Sequence, residues 1–83
     1  RDTLRSPRQI KLRKLLRDLR EQRGLTQADV AMRLDKPQSF VAKYEGGERR
    51  LSAHQFVDVV RALGLEPVAA MRQLIKTIDG EAS

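Results

Sequence analysis

At 83 residues the chain has the size of one small domain, too short to add a sizeable ligand-sensing unit. It has no cysteine, which excludes disulfides and thiolate metal sites and makes an intracellular protein the simplest reading; its one histidine, His54, cannot build a zinc site. Seventeen Lys and Arg against eleven Asp and Glu give a net charge of +6, a balance that suits a polyanionic partner, and no run approaches the ~18 apolar residues that span a membrane.

Residues 1–6 are polar, charged and aperiodic, so a mobile arm is expected there. They lack the apolar stretch of a signal peptide and an initiator Met, which suggests a fragment or a processed chain. Ser6 and Pro7 suit the N-cap and first position of a helix over roughly 7–23. Leu12, Leu15, Leu16 and Leu19 recur at helical spacing along it, and Gly24 ends it. Thr26, with Asp29 three residues on, is a capping box that opens helix two, whose inward side is Val30, Ala31 and Leu34.

Asp35 and Lys36 form a turn, and Pro37 suits the first turn of helix three. Asp enters the left-handed region more readily than most residues, so Asp35 either makes the turn itself or caps helix three. That helix runs to Glu45 and stops at Gly46-Gly47, before the basic loop Glu48-Arg49-Arg50. Ser52 and Gln55 repeat the capping box for helix four, with Phe56, Val59, Val60 and Leu63 as its core stripe and Gly64 as its end. Pro67 starts helix five, along which Val68, Met71, Leu74, Ile75 and Ile78 recur at helical spacing. Residues 79–83 read as a frayed tail. The pattern predicts an all-α, compact five-helix domain over 7–78.

Residues 26–45, TQADVAMRLDKPQSFVAKYE, read as two short helices joined by a tight turn, a helix-turn-helix whose second helix fits the major groove of DNA. At about 100° per residue, Pro37, Val41 and Tyr44 share an apolar face with Phe40 at its edge. The opposite face carries Gln38, Ser39, Ala42 and Lys43, side chains that can hydrogen-bond base edges or touch a thymine methyl. Any amphipathic helix has a solvated face. What sets this one apart is its flanks: Gln27 at the first turn of helix two, Lys36 in the turn, and Arg49 and Arg50 beyond helix three. Donors so placed can hold phosphates on both sides of a reading face. No nucleophile with a base, metal cluster or phosphate-binding glycine loop is present, so neither enzyme activity nor a cofactor is expected.

The segments LREQRGLTQADVAMRL, QSFVAKYEGGERRLS and VVRALGL resemble the lambda-repressor-like, Cro/repressor-type helix-turn-helix family, also called the xenobiotic-response-element family. The resemblance covers roughly residues 8–78. It implies a dimeric, double-stranded-DNA-binding regulator of transcription, a repressor in the first instance, in the cytoplasm and nucleoid of a prokaryote or phage. By position, Gln27 falls on the family's phosphate-holding glutamine, and Gln38, Ser39 and Lys43 on its base-reading positions. Arg20 and Glu45 fall where members place a salt bridge between helices one and three. A carboxylate near the C-terminal end of a helix opposes the helix dipole and calls for such a partner, so the pair is expected to orient the recognition helix.

Two departures stand out: Asp35 replaces a turn glycine, and the reading face lacks arginine. The basic run Arg8, Lys11, Arg13, Lys14 and Arg17 reads as a solvated face of helix one, and Met32 and Met71 as core or interface filler. The apolar surplus of helix five suggests a homodimer face. The alternative function is an antitoxin or bridging module on the same fold, with a toxin or the transcription machinery as protein partner.

Overall fold

The computed structural model describes residues 6–82, so residues 1–5 of the expected arm and Ser83 of the expected tail lie outside it. Among the described residues there are five helices and no strand: α1 (Pro7–Gln22), α2 (Gln27–Leu34), α3 (Gln38–Gly46), α4 (Ala53–Ala62) and α5 (Pro67–Ala82). Each boundary has a local cause. Ser6 belongs to α1 as its N-cap, its hydroxyl accepting from the Gln9 N–H at 3.2 Å, with Pro7 at the first position, where no donor is lost. The Thr26 hydroxyl accepts from the Asp29 N–H at 3.0 Å, and the Asp29 carboxylate accepts from the Thr26 N–H at 2.9 Å. Ser52 and Gln55 repeat this arrangement at α4.

The α2–α3 turn is built by Asp35 in the left-handed region, φ 57° and ψ 45°. The Asp35 and Lys36 N–H groups donate back to the Met32 and Ala31 carbonyls at 3.1 and 3.0 Å, the double closure of a left-handed helix end. Asp35 therefore makes the turn, and α3 begins without a side-chain cap, on Pro37.

Two expectations need correction. Pro37 is extended, with φ −70° and ψ 155°, and exposed. It stands just outside the helical lattice, so the apolar face of α3 consists of Phe40, Val41 and Tyr44. The expected frayed tail is also absent as far as Ala82, because α5 continues to that residue. After Asp79 only Gly80 disfavours a helix, and a single glycine costs about 1 kcal/mol.

The core lies where α2 packs on α3 and α4, α1 on α3 and α5, and α5 on α4. Leu16, Val30, Val41, Val59, Val60 and Leu63 are its least exposed side chains, each burial contributing roughly 1.5–3 kcal/mol. Two arginines hold the end of α4: Arg33 of α2 donates to the Ala62 carbonyl at 2.8 Å, and Arg23, the C-cap of α1, to the Leu63 carbonyl at 3.0 Å. Cations on those last carbonyls offset the negative end of the helix dipole. The radius of gyration, 12.3 Å, is close to the ~12 Å of a compact domain of this length.

Candidate nucleic-acid interface

Burial divides α3 into two faces. Phe40, Val41 and Tyr44 are buried, whereas Gln38, Ser39 and Lys43 are exposed and Ala42 is half-buried. The anchoring is tight: Val41 is 0% exposed, and the Phe40 and Tyr44 rings meet edge-on at 5.6 Å. Burial pushes the Tyr44 hydroxyl well above the ordinary phenol range, so the ring stays neutral.

A continuous chain of hydrogen bonds links the scaffold to the outward face. Arg20 on α1 donates from Nε to Glu45 Oε2 at 2.7 Å and from Nη2 to Glu45 Oε1 at 3.0 Å. Its remaining nitrogen, Nη1, donates to the Leu25 carbonyl at 2.8 Å and fixes the α1–α2 loop. Both side chains are largely out of water, Arg20 at 12% exposure and Glu45 at 3%. The Glu45 hydrogen bond holds the Arg20 pKa above the ordinary guanidinium value, against the opposing effect of burial.

Glu45 Oε1 accepts a further bond from Gln27 Nε2 at 3.0 Å, and Gln27 Oε1 accepts from Gln38 Nε2 at 3.3 Å. The carboxylate sets the polarity of this chain. An ionised acid only accepts, so Gln27 must turn its amino group inward and its carbonyl toward Gln38. Gln38 in turn gives one N–H to Gln27 and keeps Oε1 and a second N–H for the exposed side.

Cations flank α3 in sequence, Lys36 before it and Arg49 after it. The Lys36 ammonium lies 5.6 Å and the Arg49 guanidinium 4.8 Å from the centroid of the Phe40 ring. The turn and the α3–α4 loop thus lean their charges over one aromatic anchor, and Arg50 beside them is exposed. Gly47, at φ 83°, lets the chain leave α3 against the Arg13 guanidinium of α1. Lys14 pairs with Asp18 at 2.8 Å, Arg17 is exposed, and His54 is a surface residue. Among the described residues no group of acidic or histidine side chains could hold a metal, and no helix is long and apolar enough to cross a membrane.

Residue types alone did not reveal the bonds of Gln27 to Glu45 and to Gln38, or Phe40 as a seat for two cations. The nearest signal was the paired placement of Gln27 and Gln38 at the first positions of α2 and α3.

A family model described as a helix-turn-helix domain matches residues 11–74. A solved XRE-family like protein from Pseudomonas syringae pv. tomato str. DC3000 is 43% identical, with a TM-score of 0.77, over 81% of this chain and 82% of that one. The chain belongs to the helix-turn-helix family of XRE type. This is a family of non-enzymatic DNA-binding regulators of transcription. The restriction-modification controller protein C.Esp1396I shares the fold of this XRE-type chain, with 23% identity and a TM-score of 0.81 over 88% of this chain and 96% of that one. One C.Esp1396I structure is a tetramer in complex with its natural 35 base-pair operator, again at 23% identity and a TM-score of 0.81. No curated protein matches the chain.

Proposed function

We propose that this XRE-type chain represses transcription by binding a specific double-stranded operator with α3 in the major groove. The observation that carries this reading is the outward face of α3, held in one orientation by the chain from Arg20 through Glu45 and Gln27 to Gln38. Gln38 presents an acceptor and a donor side by side, the pattern that pairs bidentately with adenine. Lys43 reaches a guanine acceptor, and Ser39 donates or accepts according to the base it meets. Gln27, Lys36, Arg49 and Arg50 contact phosphates and fix the register without reading sequence.

A homodimer presents two copies of α3 to a palindromic site, half-sites about 34 Å apart. The dimer face is the outer side of α5, where Val68, Met71 and Ile75 are 56%, 41% and 48% exposed. Operator-bound C.Esp1396I is a precedent on the same fold.

Gel shifts test the division of labour. Gln38→Ala costs ~1–3 kcal/mol on the preferred site and relaxes one base position per half-site, whereas Arg49→Ala weakens all duplexes alike and lowers the salt slope by about one. Indistinguishable behaviour of the two variants refutes the assignment.

A further inference from the structure

One hollow of the molecule plays no part in base reading. It is a cavity of about 430 Å³ between the C-terminal half of α2, the Asp35–Lys36 turn and the outer face of α4. Phe40, Val59 and Ala62 are apolar side chains of its wall. Arg33, Lys36 and Arg61 also line it and oppose a single carboxylate, Asp58. A cleft of this size, with apolar side chains beside convergent charged groups, suits a small amphipathic organic molecule. Three cations against one acid select an anion.

We propose that this cleft binds a small organic anion, a carboxylate or sulfonate carrying one aromatic or branched aliphatic group, and that its occupancy weakens DNA binding. The apolar part lies on the half-buried Leu34 and Ala62 at the edge of the Phe40 ring, and the acid group meets Lys36, Arg33 and Arg61. The coupling to DNA follows from which residues are shared. Lys36 and Arg49 both lean over Phe40, and both are assigned to phosphates in the function proposed above, on which this half of the inference rests. An anion that draws Lys36 into the cleft removes one phosphate contact and leaves negative charge beside the DNA backbone. By reciprocity, bound operator lowers the affinity for the anion by the same factor.

The binding half stands on the cleft alone and can be read without DNA. Phenylpropionate, a carboxylate of the required kind, is titrated into the full chain and followed by backbone amide NMR. The expected shifts centre on Leu34, Lys36, Val59 and Ala62, and Arg61→Glu weakens binding about tenfold or more while the rest of the spectrum stays in place. Shifts that centre on Val68, Met71 and Ile75 of α5, no saturable binding, or equal affinity in Arg61→Glu overturn the site.

The second half uses duplexes selected by the chain itself. Saturating phenylpropionate should raise the Kd for the selected duplex about fivefold or more. The same anion should leave Lys36→Ala nearly unaffected. An unchanged Kd in the wild-type chain overturns the coupling while leaving the site standing. Failure to retain any duplex without the anion counts against the DNA-binding reading, not against the cleft.

Discussion

Replacing Arg20 with Met tests the scaffold beneath the reading face, and its cost can be worked out from the geometry. The substitution removes two hydrogen bonds to the Glu45 carboxylate and leaves that group, 3% exposed, with Gln27 as its remaining donor. Breaking a buried ion pair from one side costs ~3–5 kcal/mol. The surviving Gln27 bond and the 12% exposure on the Arg20 side place this case at the low end, about 3 kcal/mol. For a domain of this length that lowers Tm by roughly 12–24 °C. The double variant Arg20→Met with Glu45→Leu removes both charges together and should recover most of the loss, because no carboxylate is left stranded.

Base reading should not recover with stability. Without Glu45, nothing dictates which way the Gln27 amide points, and Gln38 loses the constraint that turns its acceptor outward. Thermal and urea melts of the two single variants and the double variant, paired with binding to the preferred duplex and to one-base changes of it, measure both effects. A cost below about 1 kcal/mol for Arg20→Met, or a double variant no more stable than the worse single one, refutes the buried-pair argument. A double variant with unaltered base preference refutes the relay.

Further predictions concern the frame of the domain. Gly47→Ala forces φ 83° on a residue with a Cβ and presses that Cβ onto the Arg13 guanidinium, so it should cost about 1–2 kcal/mol; an unchanged melt contradicts this. Ile75→Asp on the exposed side of α5 should shift sedimentation toward monomer without lowering the monomer's stability, and an unaltered association state rules out this face as the dimer contact. Asp29 and Glu66 have pKa values lowered mainly by hydrogen bonds, to Thr26 and to the Val68 and Ala69 N–H groups. Their stabilisation is therefore complete above the ordinary carboxylate range and is lost as pH falls through the lowered values. Asp29→Asn with Glu66→Gln should flatten stability against pH in that acid window, and a curve parallel to wild type counts against the caps as its source.

The elements that could be read from the sequence are those whose causes are local. Thr26 with Asp29, Ser52 with Gln55, and glycines at 24, 47 and 64 mark helix ends by backbone chemistry alone, and they define four of the five helices. The separation of Gln38, Ser39 and Lys43 from Phe40, Val41 and Tyr44 follows from helical periodicity. Pro37 was misplaced because periodicity was extended one residue past the point where the backbone becomes helical. In the tail, α5 runs on to Ala82 because no residue there is a strong enough stop to end a helix.

The network inside the site was less legible for a different reason. Arg20 and Glu45 are 25 residues apart, and Gln27 and Glu45 are 18 apart. Their meeting depends on the crossing of α1, α2 and α3, which no local pattern encodes; the salt bridge was expected from family resemblance and the helix dipole, whereas the two glutamine bonds were not. The cleft beside Phe40 was invisible for the same reason, since its walls come from separate helices.

The proposed function rests on the exposed face of α3, polarised by Glu45 through Gln27, reading sequence. The most direct measurement is selection of bound sites from a random duplex pool by the wild-type chain and by Gln38→Ala, sequenced side by side. The wild-type chain should select a palindromic site with half-sites about one helical turn apart, and the variant should lose preference at one adenine per half-site and retain the rest. Recovery of no shared motif by the wild-type chain, or of the same motif by both proteins, contradicts the proposed function.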